Sequence, residues 1–270
     1  MAGSCRLSPF GTRFRLSQKI MLRSTGPSPI RTECVKYCVL GGLTPDLHER
    51  VRQEVVVAPF PTGALLYNAG DPADSVLIVR TGQVKVSRRK ADGRSVILWL
   101  AGPGDIVGAE LFSGSTYTTT ARAVAETAIC SIKRDRFLET LENASGLTSA
   151  FASHMAILLR RMEERLLHVG LKGASRRLAV LLTQLARLDL RTVVEPHRFQ
   201  LFLKRQEIAA MIGVVPETTS RLLATFVRAG VLSLSGRWID IVDPVRLVEF
   251  AATGRWTSHD KGRPKPEQGE

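Results

Sequence analysis

The chain holds no run of the roughly 18 apolar residues that a membrane-spanning helix requires, so no span is expected and no membrane partner. Cysteine is scarce. Cys5, Cys34, Cys38 and Cys130 are too few and too scattered for a disulfide scaffold, and a reducing cytoplasm is the expected setting. The five histidines show no metal-ligand spacing. G-x-S-x-G, phosphate-loop and paired-carboxylate motifs are absent, so no enzyme is expected. Acidic residues are under-represented too: 25 Asp and Glu stand against 38 Lys and Arg, for a net charge of +13. Such a balance favours a polyanionic partner, nucleic acid first, or reflects a generally basic proteome.

What is present is sharpest between Leu201 and Gly230. Ile208 and Ile212 lie four apart and share a helical face. Gly213 suits the end of that helix, because glycine tolerates the positive φ of a C-terminal cap. Pro216 suits the first turn of a second helix, where its missing N–H costs nothing, and Gly230 suits that helix's end. At about 100° per residue, Leu222, Leu223, Phe226 and Val227 share one broad face. Glu217, Ser220 and Arg221 fall opposite, in the first half of the helix. A carboxylate, a hydroxyl and a guanidinium presented together suit the major groove, where Arg reads guanine, Glu reads cytosine N4 and Ser reads either. Any amphipathic helical hairpin with a polar outer face would share the pattern up to this point. The residues downstream favour DNA: Val231–Leu234, a turn at Ser235-Gly236-Arg237, then Trp238–Val242, read as a hairpin wing.

This stretch resembles the C-terminal domain of the Crp/Fnr superfamily of bacterial transcription regulators, and Glu217-x-x-Ser220-Arg221 is similar to the recognition signature of its Fnr branch. The cyclic-AMP branch instead has Arg before the Glu and Gly before the last Arg, where this chain has Pro216 and Ser220. The resemblance implies a TTGAT half-site in an inverted repeat of double-stranded DNA, phosphate contacts from Arg205 and Thr218, and RNA polymerase as a further partner.

Upstream, short β-rich segments recur between glycine turns: Ala64–Tyr67, Val76–Val79, Val84–Ser87 and Val96–Leu100. That spacing predicts an antiparallel barrel or sandwich, with Val84 and Val86 inward and Lys85 and Ser87 outward. Together with Gly70-Asp71-Pro72-Ala73-Asp74 and Gly104-Asp105-x-Val107-Gly108, the segment resembles the family's cyclic-nucleotide-binding β-roll. In the cyclic-AMP branch a Glu and an Arg-Ser pair grip ribose and phosphate. Glu110 stands near the first, but the second register falls on Tyr117-Thr118, followed by Thr119 and Thr120. That register supplies no guanidinium for a cyclic phosphate, so cyclic AMP is not the expected effector. Glu110, Tyr117 and Thr118 mark the candidate effector pocket.

Leu147, Phe151, Met155, Leu158, Met162, Leu166 and Val169 recur in steps of three and four, which predicts one long helix with a single apolar seam. The seam packs either on its own domain or on a second copy. The resemblance implies the latter, a dimerisation helix joining sensor to reader, and a homodimer would match an inverted repeat. Gly170–Gly173 reads as a hinge, and Arg176–Leu190 as a further amphipathic helix. The expected fold class is α+β. It comprises a basic arm (1–36), an antiparallel β-roll (37–143), a dimerisation helix (144–172), a winged helix-turn-helix (173–250) and a disordered tail (251–270). The arm lacks an apolar core and is not a secretory signal; a transit peptide or true initiation near Met21 are its other readings.

The cysteines carry one more implication of the resemblance. The Fnr branch senses oxygen through a [4Fe–4S] cluster, which takes four thiolates, and the corresponding ligands here would be Cys5, Cys34, Cys38 and Cys130. Against that reading, Cys34-x-x-x-Cys38 is only a pair and Cys5 stands far upstream, whereas the family's N-terminal group is close-set. Cys130 in a strand also fits a small buried hydrophobe, and Cys34 and Cys38 fit a thiol switch. The other open readings are a small-molecule-responsive regulator without a metal centre, and a β-roll that acts on another protein.

Overall fold

The structure, a computed structural model, describes residues 51, 53–93, 95–189 and 198–256. Cys5, Cys34, Cys38, the basic arm, the helix start at Thr44-Pro45 and the polar end of the chain from residue 257 lie outside the described residues.

Among the described residues, eight strands build the first half: β1 (Val56–Phe60), β2 (Leu65–Tyr67), β3 (Ser75–Thr81), β4 (Val84–Arg89), β5 (Ser95–Ala101), β6 (Ile106–Val107), β7 (Thr120–Ala123) and β8 (Thr127–Lys133). They pair antiparallel in two four-stranded sheets, ordered β1-β8-β3-β6 and β2-β7-β4-β5. Val76, Ile78, Val84, Val86, Ala121 and Ile129 fill the space between the sheets, each at most 2% exposed. The expected alternation along β4 holds for Val84 and Val86 but fails at Ser87, which is also buried. A register shift against β5 between Val86 and Ser87 rotates the strand there, as a bulge does. Turn glycines matter most at Gly82, between β3 and β4. Its φ is 82°, and an added Cβ would lie 2.6 Å from Thr127 Oγ1.

Three helices follow: α1 (Arg134–Asn143), α2 (Ser145–Val169) and α3 (Ala174–Asp189). The apolar seam read along α2 turns mostly toward its own domain. Leu147 is fully buried, and Phe151 and Met155 pack against the β-roll core. Phe151 meets Phe112 and Phe137 at ring-centroid distances of 4.7 and 5.8 Å. Leu166 of that seam is left exposed, and with the exposed Ala152, Ala156 and Leu159 it forms a second stripe on α2 at heptad spacing.

The C-terminal half holds β9 (Arg198–Gln200), α4 (Arg205–Ile212), α5 (Pro216–Arg228), β10 (Leu232–Ser235), β11 (Trp238–Ile241) and α6 (Pro244–Thr253). β10 and β11 form the expected hairpin, and β9 adds a third antiparallel strand on β11. The fold continues past residue 250, where composition alone predicts a tail. Trp256 stacks on Phe250 at 4.0 Å and meets Phe226 edge-on at 5.3 Å, which anchors the end of α6.

Two apolar clusters organise the described residues, one inside the β-roll and one under the C-terminal helices. The second takes in Ile97 and Leu100 from β5. One face of that strand therefore belongs to the core of the C-terminal half, which continues the buried surface across the boundary between the two.

Candidate nucleic-acid interface and effector cavity

Gly213, with φ 67°, caps α4 in the left-handed conformation, and its N–H donates to the Ala209 carbonyl. Pro216 opens α5 at its first turn. These two residues set the angle between the helices. α5 buries Thr219, Leu223 and Phe226 completely and Leu222 partly, while Val227 stays exposed at the edge of that face. The inner face is thus shifted by one turn toward Thr219, a position that hydrophobic periodicity passes over because threonine is polar.

Glu217, Ser220 and Arg221 are exposed together on the opposite face. Local bonds orient them. Ser220 Oγ donates to the Pro216 carbonyl at 3.3 Å, and an Arg221 amine donates to Thr218 Oγ1 at 3.4 Å. Thr218 is partly buried in the first turn, its N–H donating to the Val215 carbonyl. Arg205 stands exposed at the start of α4. The wing brings two further exposed groups: Arg237 at its turn, and Trp238 with the Arg198 guanidinium 5.0 Å above its ring. The exposed face of α5 therefore presents acceptor, hydroxyl and guanidinium groups that suit base edges, and α4 and the wing carry exposed cations that suit phosphates.

Sequence reasoning misses Arg177. Its Nε donates to the Ile212 carbonyl at 2.7 Å and an amine donates to the Leu171 carbonyl at 2.9 Å. One side chain so ties the hinge between α2 and α3 to the end of α4. Its only sequence signal is a charged residue near the start of an amphipathic helix.

Of the effector candidates, Glu110 and Thr118 stay together and Tyr117 turns away. Glu110 lines a cavity of about 780 Å³, together with Tyr67 and Thr119. Thr119 Oγ1 donates to Glu110 Oε1 at 2.6 Å and lies 3.3 Å from the Tyr67 hydroxyl. Tyr117 points elsewhere: it is buried, stacks on Tyr67 with centroids 3.9 Å apart, and donates from its hydroxyl to the Ser75 carbonyl at 2.8 Å. Burial pushes both phenols well above the ordinary tyrosine range, and both remain neutral donors. Gly108 makes room for this stack, since a Cβ there would lie 2.7 Å from Tyr117 Cε1. Thr118 is exposed, accepts from an Arg88 amine at 2.8 Å and donates to Glu110 Oε1 at 3.5 Å. A guanidinium does reach this corner, supplied from β4 across the sheet rather than from the register along the chain. Arg122, which follows that register, donates instead to the Gly63 carbonyl at 2.6 Å.

Of the cluster candidates, only Cys130 lies among the described residues. It sits in β8, between β1 and β3, partly buried and packed against the β-roll core. That is the packing of a small hydrophobe. Among the described residues no group of three or more His, Cys, Asp or Glu side chains is placed to hold a metal, so the described residues alone do not provide for a cluster. No helix among them is long and apolar enough to cross a membrane.

Comparison with known proteins adds two domain matches. A cyclic nucleotide-binding domain matches residues 57–144, and a Crp-like helix-turn-helix domain matches residues 176–250. The anaerobic regulatory protein of Pasteurella multocida is 28% identical over 72% of this chain and 71% of its own length. The CRP-like cAMP-activated global transcriptional regulator of Mycobacterium tuberculosis is also 28% identical, over 79% of this chain and 96% of its own. The solved structure of FixK2 from Bradyrhizobium japonicum superposes with a TM-score of 0.65 at 27% identity, covering 72% of this chain and 96% of that one. Equal identity to an anaerobic and to a cAMP-activated regulator leaves the choice of branch to the site residues.

Proposed function

Because the chain belongs to the Crp/Fnr family of transcription regulators, we propose that it acts in the cytoplasm as a homodimer that reads an inverted repeat of TTGAT half-sites, with RNA polymerase as a further partner. The observation that carries this reading is the exposed face of Glu217, Ser220 and Arg221 on α5, opposite the buried Thr219, Leu223 and Phe226. In this motif the first half of the second helix enters the major groove. Arg205 and Thr218 then hold phosphates and set the register. The exposed Leu159, Leu166 and Leu167 on α2 support self-association, because large apolar side chains grouped on one helix mark an interaction surface. A two-fold axis along such a pair would place two recognition helices on the two half-sites. Fluorescence anisotropy with a TTGAT palindrome and a scrambled duplex tests the reading. Equal affinity for both at physiological salt would refute it.

The switching signal enters at the β-roll in this reading, with the Glu110–Thr119 corner as its polar end. Cyclic AMP is not the proposed effector. Tyr117 and Thr118 occupy the register where that branch carries its phosphate-binding pair, and Arg88 is an exposed group already donating to Thr118. Titration with cyclic AMP should leave DNA affinity unchanged. An oxygen-sensitive [4Fe–4S] cluster on Cys5, Cys34, Cys38 and Cys130 remains the second proposal, supported by the Fnr-like recognition helix. An absorption spectrum of anaerobically purified protein decides it: a broad charge-transfer band that bleaches in air supports the cluster, and a colourless, iron-free protein that still binds the palindrome removes it.

A further inference from the structure

The cavity that begins at Glu110 and Thr119 does not end in the β-roll. Its wall continues over Trp99 of β5, Leu158 and Met162 of α2, Leu181 of α3 and Met211 of α4. A second cavity of about 310 Å³ shares Trp99, Met162, Leu181 and Met211 with it. Both volumes sit at or within the range of about 300–1,000 Å³ typical of small-molecule sites, and both walls are mainly apolar. Arg165 of α2 lines each of them.

Arg165 is an unusual group to find there. A guanidinium has five N–H donors, yet among the described residues its one hydrogen bond runs to the Ile97 carbonyl at 2.7 Å. Its side chain is partly buried, which lowers its pKa, and among the described residues no ion pair is formed by it. The neighbouring Arg161 shows the usual solution, an ion pair with the buried Asp105 carboxylate at 2.8 Å. Removing a cation from water is costly unless an anion and further hydrogen bonds offset it. A carboxylate bound bidentately would supply both.

We propose that this cavity binds a small amphipathic carboxylate, its head on Arg165 and its apolar body along Trp99, Met162, Leu181 and Met211. The proposal rests on the reading of the chain as a signal-responsive regulator and names the chemistry of the signal. Its four walls come from the β-roll, the long helix and the first two helices of the reader half. An occupant therefore touches the elements whose relative setting would decide how the reader meets DNA.

The probe is dodecanoate, below its micelle concentration, titrated into the full chain by calorimetry and by tryptophan emission. Saturable binding of one molecule per chain is expected, with an emission change that Trp99→Phe abolishes. Arg165→Gln keeps a donor for the Ile97 carbonyl but loses the charge, and should weaken dodecanoate at least tenfold. Dodecanol should bind more weakly than dodecanoate and be indifferent to that substitution. Met211→Trp narrows the cavity with Arg165 intact and should also weaken dodecanoate, which keeps the proposal open to refutation if Arg165→Gln fails to fold. No saturable uptake, equal binding of dodecanol and dodecanoate, or unchanged affinity in the folded variants would each overturn it. A chain that binds the palindrome but no dodecanoate overturns this proposal alone. One that binds dodecanoate but no palindrome overturns the regulator reading instead.

Discussion

Lys85 of β4 and Glu207 of α4 form an ion pair that bridges the β-roll and the reader half, both side chains about four-fifths buried. Glu207 does two jobs. Its Oε1 meets Lys85, and its Oε2 accepts from the Lys204 N–H at 2.8 Å, closing the first turn of α4. Lys85→Met leaves a largely buried carboxylate without its cation, and Glu207→Ala removes the cap as well. Both should destabilise the chain, Glu207→Ala by about 1 kcal/mol beyond the ion-pair loss, in line with the usual worth of a helix cap. A double-mutant cycle by urea denaturation checks this. A coupling energy near zero would mean that the contact adds nothing to the docking of the two halves.

Arg221 and Arg205 should fail in different ways. Arg221→Ala removes a base reader from the exposed face of α5. It should cost about 1–3 kcal/mol on a TTGAT palindrome and relax the preference at one base pair in each half-site. Arg205→Ala removes a phosphate contact at the start of α4. Affinity should then fall by a similar factor on every sequence, and the slope of log affinity against log salt should flatten by about 1 for each phosphate no longer neutralised. Anisotropy titrations at several salt concentrations separate the two outcomes. Loss of preference in Arg205→Ala would show that the helices are docked in the wrong register.

His168, near the end of α2, lies 3.2 Å from Gln184 Nε2 on α3 through its Nδ1. Burial lowers its pKa first; the Glu164 carboxylate opposes that, and the charges of Arg165 and Arg176 reinforce it. The folded state therefore takes up a proton at lower pH than the unfolded chain, whose histidine titrates near 6.5. Above that value both states are neutral and the contribution is fully present. As pH falls through about 6.5 the unfolded chain protonates first, and stability drops until the folded pKa is passed. The melting temperature should fall on acidification from about pH 7.5 to 5.5, and His168→Gln should flatten that part of the profile. An unchanged slope in the variant would show that other groups carry the acid sensitivity.

The parts of this molecule that follow from local chemistry are legible in its sequence. Gly213 and Pro216 mark the turn between α4 and α5 because one needs a left-handed φ and the other cannot give an N–H. Glu217, Ser220 and Arg221 emerge together because helical spacing alone puts them there. What crosses the sheet is not legible. Tyr117 turns inward because Gly108 leaves room and the Ser75 carbonyl waits for its hydroxyl, and neither is its sequence neighbour. Arg88 reaches Thr118 only because β4 pairs with β7. The cavity around Arg165 assembles from four segments far apart in the chain, which no spacing in the sequence brings together.

The seam of α2 shows a subtler limit, and it leads to the last prediction. Periodicity identifies an apolar face but not what covers it. Leu147, Phe151 and Met155, which periodicity puts in the seam and the family resemblance assigns to a dimer, are covered by the β-roll of their own chain. Small residues hide the competing stripe, since Ala152 and Ala156 contribute little to a hydrophobic pattern. Yet small exposed residues followed by Leu159 and Leu166 at heptad spacing are what a close helix pair uses. Leu159 is 61% exposed and Leu166 is 74% exposed. If α2 pairs with its symmetry mate along this stripe, Leu159→Lys should turn the dimer into a monomer while leaving the fold of each chain intact, because the side chain touches little within its own chain. Sedimentation and circular dichroism measure the two separately. The monomer should bind a palindrome no better than a single half-site, because each half-site would be met without its partner already in place. If Leu159→Lys and Met155→Lys were compared and only the latter broke the dimer, the stripe would be mis-assigned, and the seam first read along the helix would be the interface after all.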